Sequence, residues 1–262
     1  MISYTAQVLA ARRALATQQG SPLVADPLAH LFTTEKLLRF AEETDAPVHV
    51  VLLRARLLED LLLRPPYPVE QIVLLGAGFD TKRQRLTFLP ETRYLEVDDP
   101  DMVARKQQIL TEQRLPLPEA LPLRLTSIKD VETVLRQTSP ELPTLLLAEG
   151  FFMYQSESFL RDALAAMVGY YRKKPVLGFD VLAPDQSPAE ITAMGARIHS
   201  AGEGAWSYVA PAHLEATLRS LGMRADLWSP DRLATTYLGR DYPGTTPLYV
   251  CCAFARGLTW AP

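Results

Sequence analysis

The sequence predicts an α/β fold: a seven-stranded, mostly parallel sheet with helices on both faces and a helical cap built from the first 64 residues. Three observations carry this. Seven short apolar runs of strand length lie within residues 71–254, and helical patterns separate most of them, the alternation that produces a parallel sheet. The first run passes directly into a glycine turn. Before it, only helical patterns occur, over Tyr4 to Gln18, Pro27 to Glu43 and Val48 to Leu63.

The seven strand candidates are Gln71 to Leu75, Arg93 to Val97, Leu121 to Leu125, Thr144 to Ala148, Val176 to Val181, Met223 to Trp228 and Leu248 to Phe254. Between them, Pro100 to Gln113, Val131 to Gln137, Ser156 to Arg172 and Pro211 to Leu221 read as helices. Proline marks several helix starts. Asp26-Pro27, Asp99-Pro100, Ser187-Pro188 and Ser229-Pro230 each read as an N-cap followed by proline at the first helical position, where its missing N–H costs nothing. Ser187-Pro188-Ala189-Glu190 also fits a capping box. No repeat, low-complexity tail or compositional break divides the chain, so one domain over residues 1–262 is expected, with residues 65–262 as its core.

Composition narrows the function classes. Hydrophobic residues make up 48% of the 262 and charged residues 22%, enough to bury a proper core. A net charge of −3 speaks against binding nucleic acid through its phosphates. No apolar run reaches the roughly 18 residues of a membrane span. The stretch from His49 to Leu63 is broken by Arg54, Arg56, Glu59 and Asp60. No signal-peptide pattern opens the sequence. The two cysteines, Cys251 and Cys252, are adjacent, a poor geometry for a disulfide and too few thiols for structural zinc. A reducing, cytoplasmic setting is the expectation, with no metal.

The glycine turn reads Gly76-Ala77-Gly78-Phe79-Asp80-Thr81. Strand, glycine turn and helix in succession let a backbone approach a nucleotide closely. A plain tight turn is the alternative reading. A dinucleotide fingerprint calls for a third glycine where Thr81 stands and a pyrophosphate at the helix N-terminus, where Asp80 would repel it. A cofactor with an ammonium group and no phosphate suits this loop better, and S-adenosylmethionine is one. Asp80 could equally be an N-cap. The second strand ends Glu96-Val97-Asp98-Asp99. Glu96 and Asp98 share a face. Asp98, 22 residues past Gly76 and nearer the carboxyl end, is the better candidate to accept both ribose hydroxyls, while Asp99 fits a helix N-cap.

Three segments, LLGAGFDTKRQRL (Leu74 to Leu86), YLEVDDPDMVARK (Tyr94 to Lys106) and LAEGFFMY (Leu147 to Tyr154), together resemble the leucine carboxyl methyltransferase family, a branch of class I S-adenosylmethionine-dependent methyltransferases. Ala11 to Phe32 is similar to the family's N-terminal helix and Asp-Pro motif, and Ala205 to Met223 to its late substrate-side segment. The resemblance implies a Rossmann-like methyltransferase sheet and O-methylation. It implies that Gly76, Ala77 and Gly78 line the methionine part of the cofactor and that Asp98 holds the ribose. Glu149 would face the cofactor's amino group. Arg54 and Arg13 would pair with its carboxylate, with Arg12 as the alternative to Arg13. Where the family has Asp-Leu-Arg-Asp, this chain has Ser127-Ile128-Lys129-Asp130. Ser127 and Ile128 would then contact adenine, and Lys129 would lie near a substrate carboxylate. Tyr154 matches the family's pocket tyrosine. For Arg13, Arg54 and Lys129 the alternative is a solvated helix cation, and for Tyr154 a core position.

The substrate pocket is expected from the N-terminal helices, the segment Ala183 to Tyr208 and the residues after Glu149, with Gly202-Glu203-Gly204 as a lid. Of His30, His49, His199 and His213, His199 is the best pocket candidate, although a surface position suits it as well. The expected substrate is a small natural-product acid or alcohol, and a peptide or protein C-terminus comes second. Two readings from other classes stay open: an NAD-dependent oxidoreductase and a non-catalytic S-adenosylmethionine-binding protein.

Overall fold

The computed structural model describes residues 2–43, 48–184, 195–196, 199–200, 202, 204–243 and 246–262. Its seven strands are β1 Gln71–Leu75, β2 Arg93–Asp98, β3 Glu119–Pro122, β4 Thr144–Ala148, β5 Val176–Leu182, β6 Met223–Trp228 and β7 Leu248–Ala255. They form one sheet in the order β3-β2-β1-β4-β5-β7-β6. Pairing is parallel from β3 through β5, whereas β7 runs antiparallel to both β5 and β6.

Strands β1, β4 and β5 are buried along their whole length, as expected of parallel strands covered on both faces. Alternation sorts their side chains. Ile72 and Leu74 of β1 pack with Leu57, Leu58 and Leu61 of helix α3, Val48–Leu63. Val73 and Leu75 pack on the opposite face with α6, Ile128–Arg136, and α7, Glu157–Tyr170. At Gly178 of β5, α3 packs tightly on the sheet. A Cβ there would stand 2.6 Å from Leu147 Cδ2 and 2.8 Å from Leu61 Cδ2. Thus α3 covers a face of the sheet, not its end. Helix α1, Tyr4–Gln18, lies over the carboxyl ends of the strands, where the Phe32 and Phe79 rings stack at 5.1 Å.

Most helix starts follow the expected chemistry. Asp99 caps α5, Pro100–Glu112, by accepting from Asp101 N–H at 3.0 Å. Helix α8, Pro211–Ser220, opens on proline. Ser229 caps α9, Pro230–Leu238, by accepting from Arg232 N–H at 3.2 Å. The expected helix from Pro27 to Glu43 is instead two pieces. After Asp26, which accepts from Leu28 N–H, a 3-10 turn covers Ala29–Phe32. Thr33 is extended, and Thr34 Oγ1 caps the new helix α2, Glu35–Glu43, at Leu37 N–H. Two adjacent β-branched threonines favour such a break. Strand β3 lies two residues before the expected Leu121 start and three before its expected end. Its edge position leaves a half-exposed pattern and no apolar run to mark it. Helix α6 begins three residues before the expected Val131. The Ser187–Glu190 capping box lies outside the described residues. Both cysteines are free and buried. Among the described residues, no helix is long and apolar enough to cross a membrane, and no group of three or more potential metal ligands occurs.

Candidate functional site

Strand order reverses around β1, which lies between β2 and β4. The carboxyl ends of these three strands therefore open side by side at the switch point, the place where open α/β sheets bind ligands. A cavity of about 560 Å³ lies there. Gly76, Ala77 and Gly78 form its floor, Asp98 and Glu149 flank the floor, and α1 closes it from above through Ser3, Ala6 and Arg13.

The glycine loop is held from within. Gly76 and Gly78 have φ of +66° and +50°, a region that suits glycine. A Cβ on Gly76 would also meet Phe151 Cδ2 at 3.0 Å. Gly76 N–H and Ala77 N–H both donate to the Val97 carbonyl, at 2.9 and 3.1 Å. Gly78 N–H donates to Asp98 Oδ2 at 2.5 Å, and Asp99 N–H donates to Asp98 Oδ1 at 2.6 Å. Burial pushes the Asp98 carboxyl above its ordinary value, while those two N–H groups oppose the rise. Glu96 faces the same way but is sealed by Lys106 Nζ at 2.6 Å and does not line the main cavity. Asp99 both caps α5 and lines the cavity, where Arg124 pairs with it at 2.5 Å.

Asp80 does not sit over a long helix. Helix α4 spans only Lys82–Arg85. Asp80 Oδ1 accepts from Lys82 N–H at 2.7 Å, and its Oδ2 pairs with Lys82 Nζ. Lys82 is 1% exposed and reaches on to Glu149 Oε2 at 2.7 Å. Glu149 Oε1 meets Arg54 at 3.1 Å, and Arg54 NH1 meets Asp180 Oδ2 at 3.1 Å. Asp180 Oδ1 accepts from Gly150 N–H at 2.6 Å. Burial opposes the charge on Glu149, but Lys82 and Arg54 outweigh it and bring the carboxyl down to about 2. For Lys82, burial works against the charge, and Asp80 and Glu149 win, raising its value.

A consequence for acid stability follows. A carboxyl lowered on folding from about 4.5 to about 2 stabilises the protein above pH 4.5 and loses that contribution as pH falls through 2. Denaturant unfolding at stepped pH should therefore show wild type losing stability faster than Glu149→Gln between pH 4.5 and 2. Equal slopes would mean the carboxylate is not held ionised by this cluster.

Of the residues singled out in the sequence, Arg13, Arg54, Gly76, Ala77, Gly78, Asp98, Glu149 and Tyr154 all border this one cavity. Arg13 donates from Nε to Asp26 Oδ2 at 2.8 Å and from NH2 to the Phe79 carbonyl at 2.7 Å. Arg12 turns to the Ala41 carbonyl and is not in the lining. Four expected residues lie elsewhere. Ser127 N–H and Oγ both donate to Asp130 Oδ2 at 2.8 Å, closing the first turn of α6. Ile128 packs beside the α6–α7 core. Lys129 and His199 are exposed, and neither lines the cavity. Leu125 and Thr126, just before Ser127, border it instead. Gly202 and Gly204 also border it, while Glu203 and most of residues 185–203 lie outside the described residues. Sequence reasoning missed Lys82 and Asp180. For Lys82 the one local signal was the carboxylate and ammonium two residues apart in Asp80-Thr81-Lys82, and Asp180 had none.

Comparison with known proteins identifies the family. The family model described as leucine carboxyl methyltransferase matches residues 6–167. A proposed S-adenosyl-L-methionine-dependent methyltransferase of Mycolicibacterium gilvum is 27% identical over 191 residues, 63% of each chain. One from Streptomyces avermitilis is 30% identical over 176 residues, 62% of each chain. The match thus spans less than two thirds of these relatives' length. Among solved structures, a proposed methyltransferase from Thermobifida fusca superposes with a TM-score of 0.63 at 15% identity, covering 98% of this chain and 96% of that one. A DUF574 family protein from Streptomyces avermitilis gives 0.59 at 16%, covering 97% and 98%. At such identities the likeness is one of fold. The family match itself runs from α1 into α7 and takes in every cavity residue from Arg13 to Tyr154, so the chain belongs to the leucine carboxyl methyltransferase family.

Proposed function

We propose that this protein is an S-adenosylmethionine-dependent O-methyltransferase that works as one unit on a small natural-product-like substrate, with a carboxylate as acceptor. The observation that carries the reading is the joining of a glycine cradle, Asp98 and Glu149 around one cavity in a member of this family. The cradle suits a close ligand: Gly76 and Gly78 line the cavity with left-handed backbone and no side chain of their own. It does not fit a dinucleotide, because Asp80 already uses the first N–H of α4 and presents a carboxylate where a pyrophosphate would sit.

In this reading Asp98 accepts from the ribose hydroxyls with the lone pairs left free by Gly78 and Asp99. Glu149 and Asp80 attract the amino group. Arg13 faces the cofactor carboxylate from α1, and Arg54, held by Glu149 and Asp180, supports it from behind. Leu125 and Thr126 take the adenine-side position expected of Ser127 and Ile128. When bound, the cofactor supplies an electrophilic methyl group on a sulfonium. An acceptor oxygen forms the new O–C bond as the C–S bond breaks, with that electron pair going to sulfur. The protein's part is to hold the line of attack and exclude water.

Two facts favour a carboxylate acceptor over a hydroxyl. A carboxylate with a pKa near 4 is ionised at pH 7 and needs no base. None of the described histidine side chains lines the cavity to serve as one. Lys129 lies outside the lining and takes no part in this reading. Isothermal titration should give micromolar S-adenosylmethionine binding and none of NAD. Incubation with a panel of small acids should give a product that mild alkali saponifies. Comparable NAD binding would sink the assignment, and an alkali-stable product would move the acceptor to a hydroxyl. Turnover on a peptide C-terminus alone would favour the protein-substrate reading. Cofactor binding without turnover on any acceptor would favour a non-catalytic binder.

A further inference from the structure

The chain Asp80–Lys82–Glu149–Arg54–Asp180 joins the glycine loop, the end of β4, α3 and β5 in one run of contacts. Both oxygens of each carboxylate act as acceptors, which is the hydrogen-bonding pattern of the ionised form. Three negative and two positive groups leave one negative charge in excess. The surroundings do not cancel it: Arg13 pairs with Asp26, Arg85 with Glu59 and Lys106 with Glu96, and Asp98, on the same cavity, is held by two backbone N–H groups and adds no positive charge. The members are also ordered by depth. Lys82 and Asp180 have side chains at most 2% exposed and lie outside the cavity lining, while Asp80 and Glu149, 12% and 13% exposed, border the cavity with Arg54 between two carboxylates as the single cation of the cluster to reach it. The uncompensated charge is therefore presented to the ligand.

We propose that this cluster, with Lys82 as its balancing cation, sets the charge selectivity of the cofactor site, so that it holds a sulfonium more firmly than the neutral thioether left after methyl transfer. This rests on the cofactor reading above. S-adenosylmethionine carries an ammonium, a carboxylate and a sulfonium, for one net positive charge. S-adenosylhomocysteine lacks the sulfonium charge and is neutral overall. The two ligands share their remaining polar groups, so contacts to ribose, adenine and amino acid largely cancel when their affinities are divided. What remains is mainly the interaction of one charge with the wall. Lys82 is a positioning residue in this scheme: it acts through Asp80 and Glu149 and holds the cluster at an excess of one.

Charge-changing variants test this directly. Lys82→Met raises the excess to two negative charges, Asp80→Asn lowers it to zero, and the double variant returns it to one. Dissociation constants for both ligands would be measured by isothermal titration, at fixed salt, on proteins whose folding is checked by circular dichroism. The ratio of the S-adenosylhomocysteine constant to the S-adenosylmethionine constant should rise about tenfold in Lys82→Met and fall about tenfold in Asp80→Asn. That is the order of size for a unit charge several ångströms away at a partly screened site. The double variant should return to the wild-type ratio. A merely structural role for Lys82 would weaken both ligands alike and leave the ratio unmoved. Should Lys82→Met fail to fold, Asp80→Asn and the double variant still decide the matter. A ratio constant across the series overturns this inference alone. A wild-type protein that binds neither ligand overturns the cofactor reading, and this inference with it.

Discussion

Replacing Arg54 with methionine should destabilise the fold by about 3–5 kcal/mol, the usual cost of removing one partner from a buried ionic cluster. Arg54 is 2% exposed and, among the described residues, is the one cation that touches Asp180, itself fully buried. Burial pushes the Asp180 carboxyl up even with Arg54 beside it. Without the guanidinium, Asp180 keeps only the Gly150 N–H, and Glu149 keeps only Lys82. Methionine fills much of the volume but satisfies neither oxygen. For a chain of this size the loss corresponds to a drop in Tm of roughly 6–20 °C. Adding Asp180→Asn should recover part of it, since the amide needs no counter-charge. A single-variant loss below about 1 kcal/mol would show that water or a local rearrangement satisfies these groups.

The second large effect separates two acids on one strand. Asp98→Ala should weaken cofactor binding by about 1–3 kcal/mol, the range for charged hydrogen bonds to a buried group, which is roughly 5–150-fold in Kd. It also releases Gly78 N–H and Asp99 N–H, so the loop should loosen while the sheet stays intact. Glu96→Gln should do the reverse. It breaks the buried pair with Lys106 and should lower stability while leaving Kd nearly unchanged. Normal binding by Asp98→Ala together with lost binding by Glu96→Gln would reassign the ribose contact.

The parts of this fold legible in the sequence are those in which one short stretch decides its own structure. Gln71 to Leu75 and Thr144 to Ala148 are buried on both faces, so they read as unbroken apolar runs. Asp99-Pro100 and Ser229-Pro230 mark their helices through chemistry confined to three residues. Gly76 and Gly78 announce a turn because other residues rarely take that backbone. The illegible parts depend on partners far along the chain. Lys82 reads as a helix-surface cation until β4 brings Glu149, 67 residues away, against it. Asp180 is one acid in the run Val176 to Leu182, and nothing nearby shows that Arg54 meets it from 126 residues upstream. Strand β3 carries no apolar run because it is an edge. The cavity border at Leu125 and Thr126 lies just short of the Ser127 position implied by the family motif, a shift that similarity of motifs does not resolve.

Strand β7 lies between β5 and β6 in the sheet but follows both in the chain, which bears on how the protein emerges from a ribosome. Strands β1 to β4 can pair as they are made, and with them the floor and flanks of the cavity take shape. Strand β5 then docks on β4 with its other edge unmet, and β6 waits for its partner, until residues 248–255 clear the exit tunnel and slide between them. During that interval the nascent chain offers an unpaired edge on the mostly apolar strand β5, the kind of surface that recruits chaperones or pairs with a neighbouring chain. Synthesis speed over the stretch from β5 to β7 therefore governs how long that edge stays open.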